Sequence, residues 1–243
     1  MEYLKIIAFS CLAIVIIHGL RYLILSSASF FLIRKASADW KKTHRLQAAD
    51  PSKDSIRFEI RNAFFSILIF GFVMGSVFNP LILPSTKIST ESFQFEWWAL
   101  ISFLLMVCIH DTYFYFMHRW MHKIKFLRQF HHVHHRSLNP SPYASQSFHW
   151  VEALLEIVWI VPFVFLVPVP RLVLIVFSFF TICYNIYGHL GFELATDVRR
   201  RPFIFRYVNT STHHNLHHKN YMNGNYGLYF LFWDRLLKTE KLA

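Results

Sequence analysis

"ISFLLMVCIHDTYFYFMHRWMHKIKFLRQFHHVHH", residues 101–135, starts as an apolar run and ends in two dense groups of histidine. The apolar part, counted from residue 97 to 117, reaches the ~20 residues that cross a bilayer. The histidines follow directly at its end. Such a passage reads as a membrane helix that delivers titratable, metal-binding side chains to one side of the membrane.

Outward from this stretch the chain keeps the same character. Apolar runs cover residues 4–25 and 62–83, and a longer one, broken by Pro168 and Pro170, covers 153–188. With 54% hydrophobic and 19% aromatic residues in 243, a soluble globule is excluded. The expected fold is all-α: a polytopic membrane bundle of three long spans plus a Pro-broken hairpin of two short helices. A helical cap formed by residues 119–150 and 190–243 carries the histidines. No internal repeat or low-complexity tract divides the chain, so a single domain, 1–243, is expected. The first run is long and lacks a small-residue cleavage site after a short apolar core, so it reads as a retained helix and not as a signal peptide. Cys11, Cys108 and Cys183 lie singly inside apolar runs and read as packing residues.

The net charge of +11 would point to nucleic acid in a soluble protein. Here the basic residues lie between apolar runs, where membrane topology and anionic lipid account for them, and no nucleic-acid partner is expected. Arg34, Lys35, Lys41, Lys42, Arg45, Lys53, Arg57 and Arg61 fill the first loop, whereas the loop 84–96 sets Lys87 against Glu91 and Glu96. The positive-inside bias puts the first loop in the cytoplasm. The third span then brings Arg119, Lys123, Lys125, Arg128 and Arg136 to the same side. The hairpin leaves that side and returns to it, with His149 and His189 near its two ends.

Three histidine groups result: "HRWMH" at 118–122, "HHVHH" at 131–135 and "THHNLHH" at 212–218. His118 and His122 are four apart and share a helix face. His131 with His134 and His135, and His214 with His217 and His218, repeat an i, i+3, i+4 stripe. An isolated histidine is most often a surface residue. Grouped on one side of a membrane these imidazoles repel when protonated, whereas a divalent metal uses their neutral lone pairs. Eight are too many for one tetrahedral ion, which favours a two-metal site, and imidazole alone suits Zn, Cu, Ni and Fe alike.

These boxes resemble those of the fatty acid hydroxylase and sterol desaturase superfamily over residues 95–240. The HxxxH, HxxHH and HxxHH spacings, "HDTYFYFMHRWMH" before the first box, "NIYGHLGFEL" like an NxxGHxG segment, and "HHKNYMNGNYGLYFLFWDRLLKT" through an NxG turn to a WDxLFGT-like close carry the likeness. The resemblance implies a non-haem di-iron centre held by His118, His122, His131, His134, His135, His189, His214, His217 and His218, with another metal such as Zn able to stand in after purification. It further implies hydroxylation or desaturation of a fatty-acyl, sterol or isoprenoid-type lipid with O2. "FHWVE" at 148–152 stands where the family has HPxE, and "RLLKT" has Leu and Lys where Phe and Gly are usual, so no role is assigned to His149 or Glu152. Fuller members carry a histidine where this chain has Asn185, which is expected to act by hydrogen bonding or through a water.

Asp111 precedes His118 by almost two turns and faces the same way; an acid inside a span is a functional candidate, expected to accept a hydrogen bond from a box imidazole. His110, His132 and His213 neighbour the boxes off their spacing, and His18 and His44 are remote. Tyr113 to Phe116 read as packing or an interface belt before a substrate tunnel. With no GxGxxG turn and no CxxCH haem attachment in the sequence, electrons are expected from a separate donor protein or reductase. The rival is a non-catalytic membrane metal carrier or bis-histidine haem protein, which would pair its ligands across the spans instead of at their ends. An intramembrane hydrolase ranks last, since Ser66, Ser76 and Ser102 lack partners and Asp111 is solitary. The short chain and the lack of an evident ER-retrieval ending set the expectation at a bacterial inner membrane, with the boxes cytoplasmic.

Overall fold

The computed structural model describes residues 2–89, 97–194, 206–219 and 224–241. Part of the acidic loop used for orientation (90–96) and parts of the cap (195–205, 220–223) lie outside these residues. Helix α1 (Glu2–Lys35) presents apolar side chains outward along its length, with Phe9, Ile17, Leu20 and Ile24 all exposed, as a helix facing lipid does. Short α2 (Ala38–His44) is capped by Ser37, whose hydroxyl accepts from Trp40 N–H, and α3 (Lys53–Val77) by Ser52, which accepts from Ser55 N–H.

Why α1 and α3 pack so closely is written in "GFVMG", residues 71–75. A Cβ on Gly71 would lie 2.9 Å from the Val15 Cα, and one on Gly75 would lie 2.4 Å from the Cys11 Cα. Only glycine at both positions lets the two backbones touch, which in lipid is how helices gain contact without a hydrophobic driving force.

Helix α4 (Trp97–Lys123) runs without a break from its apolar part through the first histidine box, and α5 (Lys125–His135) follows after a one-residue turn at Ile124. A buried segment then leads through a 3₁₀ turn (Pro142–Gln146) to α6 (Trp150–Ile157). A buried loop must satisfy its polar groups. Here Tyr22 O–H donates to the Tyr143 carbonyl (2.8 Å), Gln47 Nε2 to the Pro140 carbonyl (2.8 Å), and Ser141 donates its hydroxyl to the Glu59 carboxylate. The segment is thus pinned to α1 and α3.

The Pro-broken hairpin is present, and its first arm differs from expectation. Its first arm breaks once more near Val158, giving α6 and α7 (Ile160–Leu166); its second is a single 18-residue helix, α8 (Arg171–Gly188), long enough to cross a membrane. Pro168 and Pro170 do end the first arm as predicted, since proline cannot continue a helix there. The bend forms a two-residue parallel pair, β1 (Ile88–Ser89) with β2 (Val169–Pro170). Four helices, α1, α3, α4 and α8, therefore have the length and composition of spans. The main core joins Met106, Phe114 and Met117 of α4 with Trp159, Phe163 and Phe177. The chain closes with α9 (Ser211–Lys219) and α10 (Phe232–Leu236).

Candidate metal centre

Eight of the nine expected histidines are buried and His214 is half-buried, and they gather into two adjoining groups. His118, His122, His131, His135 and His217 form one; His134, His189, His214 and His218 form the other, and within each group the ring nitrogens lie within 4.8 Å of one another. The HxxHH boxes are divided between them. In α5, His131 and His135 share one stripe and enter the five-histidine group, while His134, turned to the other side, enters the four-histidine group. In α9 the roles reverse: His214 and His218 go to the four, His217 to the five. Each box therefore bridges both groups, and the rings of His135 and His218 meet at 4.8 Å between centroids.

The Nε2 atoms face inward. In the five-histidine group His118 and His131 approach to 3.1 Å, His131 and His135 to 2.9 Å, His122 and His135 to 3.2 Å, and His122 and His217 to 3.1 Å. In the other, His134–His189, His189–His214, His134–His218 and His214–His218 lie 3.3, 3.0, 3.1 and 3.2 Å apart.

The outer nitrogens decide what these approaches mean. A carbonyl oxygen can only accept, so a ring nitrogen bonded to one carries the proton. Nδ1 donates to Tyr226 O from His118 (3.0 Å), to Gly224 O from His217 (2.8 Å), to Ser147 O from His134 (3.3 Å) and to Asn185 O from His189 (2.7 Å). His131 Nδ1 donates to Glu152 Oε1 at 2.6 Å. Burial, reinforced by neighbouring histidines, holds His134, His135, His214 and His218 well below the ordinary imidazole range; burial also brings His189 and His217 down to about 4. These rings are neutral at pH 7. His134 and His189 thus meet lone pair to lone pair, an arrangement that repels unless a cation lies between them. Two nitrogens each about 2.1 Å from one ion, at angles of about 90–109°, are about 3.0–3.4 Å apart, which is the spacing seen. The donor set fits a pair of metal ions.

Glycine and two acids hold the outer partners in place. The turn at residues 224–230 supplies carbonyls to His217 and His118; Asn225 sits at φ 57°, and a Cβ on Gly227 would meet the Phe230 carbonyl oxygen at 2.3 Å. Asp234 clamps the turn by accepting from Tyr226 N–H (3.0 Å) and Gly227 N–H (2.8 Å). Asp111 does likewise, accepting from Tyr229 N–H (2.7 Å) and Phe230 N–H (3.2 Å).

The family model for fatty acid hydroxylases matches residues 103–239, more than half the chain. The protein belongs to the fatty acid hydroxylase family. Among its relatives are a Delta(7)-sterol 5(6)-desaturase of Gibberella zeae, 29% identical over 183 residues (75% of this chain, 55% of the relative), and sphinganine C4-monooxygenase 2 of Arabidopsis thaliana, 35% identical over 142 residues (56% and 53%). Human lathosterol oxidase is 31% identical over 140 residues (57% and 43%). The chain spans about half the length of these relatives. They come from a fungus, a plant and a human, which lends the expected bacterial membrane no support. No solved structure matches.

For this member of the fatty acid hydroxylase family, two expectations about the surroundings of the boxes change. Asp111 was expected to accept from a box imidazole, but its carboxylate holds backbone amides of the 224–230 turn, and the imidazole partner is Glu152, from the segment to which no role was assigned. A carboxylate on "FHWVE" one helix away gave no periodic signal linking it to His131; only the fold brings the two together. Asn185 engages His189 through its backbone carbonyl, leaving the amide side chain free for another wall. His149 caps α6, accepting from Val151 N–H, and His44 stacks on Trp40. His132 is exposed, His213 bonds Thr210, and His110 bonds Tyr229 O–H (2.9 Å) and stacks on Trp159, so none joins the two groups. Tyr113 to Phe116 are packing residues: Tyr113 O–H donates to the Leu155 carbonyl and Phe116 packs on Trp233.

A cavity of about 140 Å³ lies among α1, α3, α4, α7 and α8, lined by apolar side chains such as Phe70, Met106, Trp159, Leu174 and Phe177. It reaches the four-histidine group through its wall: Phe148, in the lining, packs 5.0 Å from the His134 ring, and Asn185 is the residue bonded to His189.

Proposed function

We propose that the protein is a membrane-bound, O2-dependent di-iron enzyme that hydroxylates or desaturates a lipid, using electrons from a separate donor protein. The carrying observation is the inward convergence of nine imidazoles, five of them with the outer nitrogen tied to an acceptor, beside an apolar cavity open to a membrane-spanning bundle. Two irons held by His118, His122, His131, His135 and His217, and by His134, His189, His214 and His218, would supply the metal-based oxidant that an unactivated C–H bond requires and that no side chain provides.

The chain's own contribution is positional. Carbonyls of residues 147, 185, 224 and 226 fix the tautomer of four imidazoles, so each keeps its Nε2 lone pair directed inward, and the Glu152 carboxyl behind His131 holds that ring in its orientation. Burial of eight of the nine rings, with His214 half-buried, shields the centre from water. The cavity walls orient an apolar chain so that one carbon lies next to the four-histidine group. We place the boxes on the cytoplasmic side, where the basic first loop and the arginines and lysines after α4 would also lie. The relatives named as a sterol desaturase, a lathosterol oxidase and a sphinganine monooxygenase support lipid oxidation as the class of reaction. The bis-histidine haem rival is disfavoured by packing: each ring has a neighbour in its own group at 4.4–4.9 Å between centroids, which leaves no slot for a macrocycle.

Metal analysis of protein purified without chelators tests the reading. About two irons per chain, together with an O2-dependent mass gain of one oxygen or loss of two hydrogens in membrane lipids, is expected. Metal-free protein whose activity is indifferent to His217→Ala would overturn it.

A further inference from the structure

Residue 21 is an arginine near the middle of α1, within a stretch long and apolar enough to cross the membrane. A cation there is costly and calls for a partner. Among the described residues no carboxylate lies within ion-pair distance of it. Its guanidinium instead donates to Ser178 Oγ and His18 Nδ1, its Nε is buried with no hydrogen-bond partner, and Phe179 lies under it at 5.0 Å. Glu156 lines the same cavity without contacting it.

The neighbouring hydrogen bonds all run one way. Because His18 Nδ1 accepts from Arg21, its proton sits on Nε2, which donates to Gln146 Oε1 at 2.8 Å. Gln146 is then left with its amide nitrogen as a donor, and Arg21, His18, Gln146 and Ser178 all belong to the cavity lining. The cavity thus carries a positively charged, donor-rich patch inside the membrane-spanning bundle, with no carboxylate in contact with the guanidinium among the described residues.

We infer that this patch binds the oxyanion head group of the lipid that occupies the cavity, with Arg21 as the residue that selects it. The inference rests on the cavity being the lipid site proposed above. Ser178 and Asn185 are seven residues apart on α8, about 10 Å along the helix, so the head group and the carbon beside the four-histidine group lie about that far apart. A carboxylate and a phosphate ester both offer the required oxyanion; a hydroxyl-headed lipid offers no charge to neutralise the guanidinium.

Equilibrium dialysis of the full-length protein in detergent, against hexadecanoate, hexadecyl phosphate and 1-hexadecanol, tests this without turnover. Wild type is expected to bind one of the two anions at least tenfold tighter than the alcohol, and the preferred anion identifies the head group. Arg21→Gln should bring that preference below threefold while hexadecanol binding and metal content stay unchanged, and Arg21→Lys, which keeps the charge, should retain it. Equal binding of all three probes by wild type, a preference that survives in Arg21→Gln, or no binding of any probe would overturn the inference. Metal content and O2-dependent lipid oxidation, measured on the same protein, show whether the di-iron reading fails with it or stands alone.

Discussion

The two histidine groups are built from the same boxes but held by different parts of the chain. The five-histidine group is fastened from behind by the 224–230 turn, through Tyr226 and Gly224, and by Glu152. The four-histidine group is fastened by Ser147 and Asn185, which belong to or adjoin the cavity wall. One group is thus anchored to a rigid clamp made by Asp234 and Asp111, while the other shares its supports with the place where a lipid would lie. On the proposed function the difference gives them unequal work: the five-histidine group would be the better insulated, and the four-histidine group would meet the substrate.

The largest expected effects come from removing one ligand from each group. His217→Ala leaves four imidazoles in its group, whereas His214→Ala leaves only three in the other. Both should lower activity by at least about a thousandfold, since ligand loss removes the oxidant. Metal content should separate them, with His214→Ala dropping to about one iron per chain and His217→Ala retaining more than one. Equal loss of metal from both variants would break the assignment of unequal groups.

Next in size is Glu152→Gln. An amide oxygen can still accept from His131 Nδ1, but the carboxyl that could take up charge behind the ring as a metal binds is gone. Loss of such a partner typically weakens metal binding about 10–100-fold. Competition with a chelator should show one of the two metals, not both, becoming easier to extract. Uniform weakening would mean that the groups are coupled too tightly to be treated apart.

Acid acts on both groups. Burial holds His189 of one group and His217 of the other at about 4, below the ordinary value of 6.5. Below pH 6.5 the unfolded chain therefore binds protons that the folded chain refuses, so stability is flat above about 6.5 and falls as pH drops toward about 4. Thermal melts of the purified protein across that window should show a progressive decline. A melting temperature independent of pH from 7 down to 4 would contradict the neutral, buried rings.

How much of this was legible in the sequence follows from the range of each interaction. The spans were legible because hydropathy is a local sum, and the boxes because i, i+3, i+4 spacing is a property of one helix. His189 came only through resemblance, since nothing local marks it. The division of each HxxHH box between two groups was hidden: the spacing defines a stripe, but which imidazole crosses to the neighbour depends on where α4, α8 and α9 stand. Glu152 was hidden for the same reason. The close approach of α1 and α3 is legible in Gly71 and Gly75, a small-xxx-small pair in an apolar run. Arg21 and His18 were also in plain view within the first span; that they share a cavity with Asn185 depends on the packing of α1 against α8.

Asp111→Asn gives the smallest effect and the sharpest test of the clamp. The carboxylate Oδ1 accepts from two backbone amides of the turn, Tyr229 and Phe230, and touches no box imidazole among the described residues. An asparagine can keep its carbonyl oxygen toward those amides while losing the charge that strengthens both bonds, a loss of about 1–2 kcal/mol. The melting temperature should fall by a few degrees with metal content unchanged. Because the turn carries the carbonyl partners of His118 and His217 and none of those of His134 or His189, whatever loosening occurs should reach the five-histidine group alone. Faster chelator extraction from the other group would show that the acid acts by some path other than the turn.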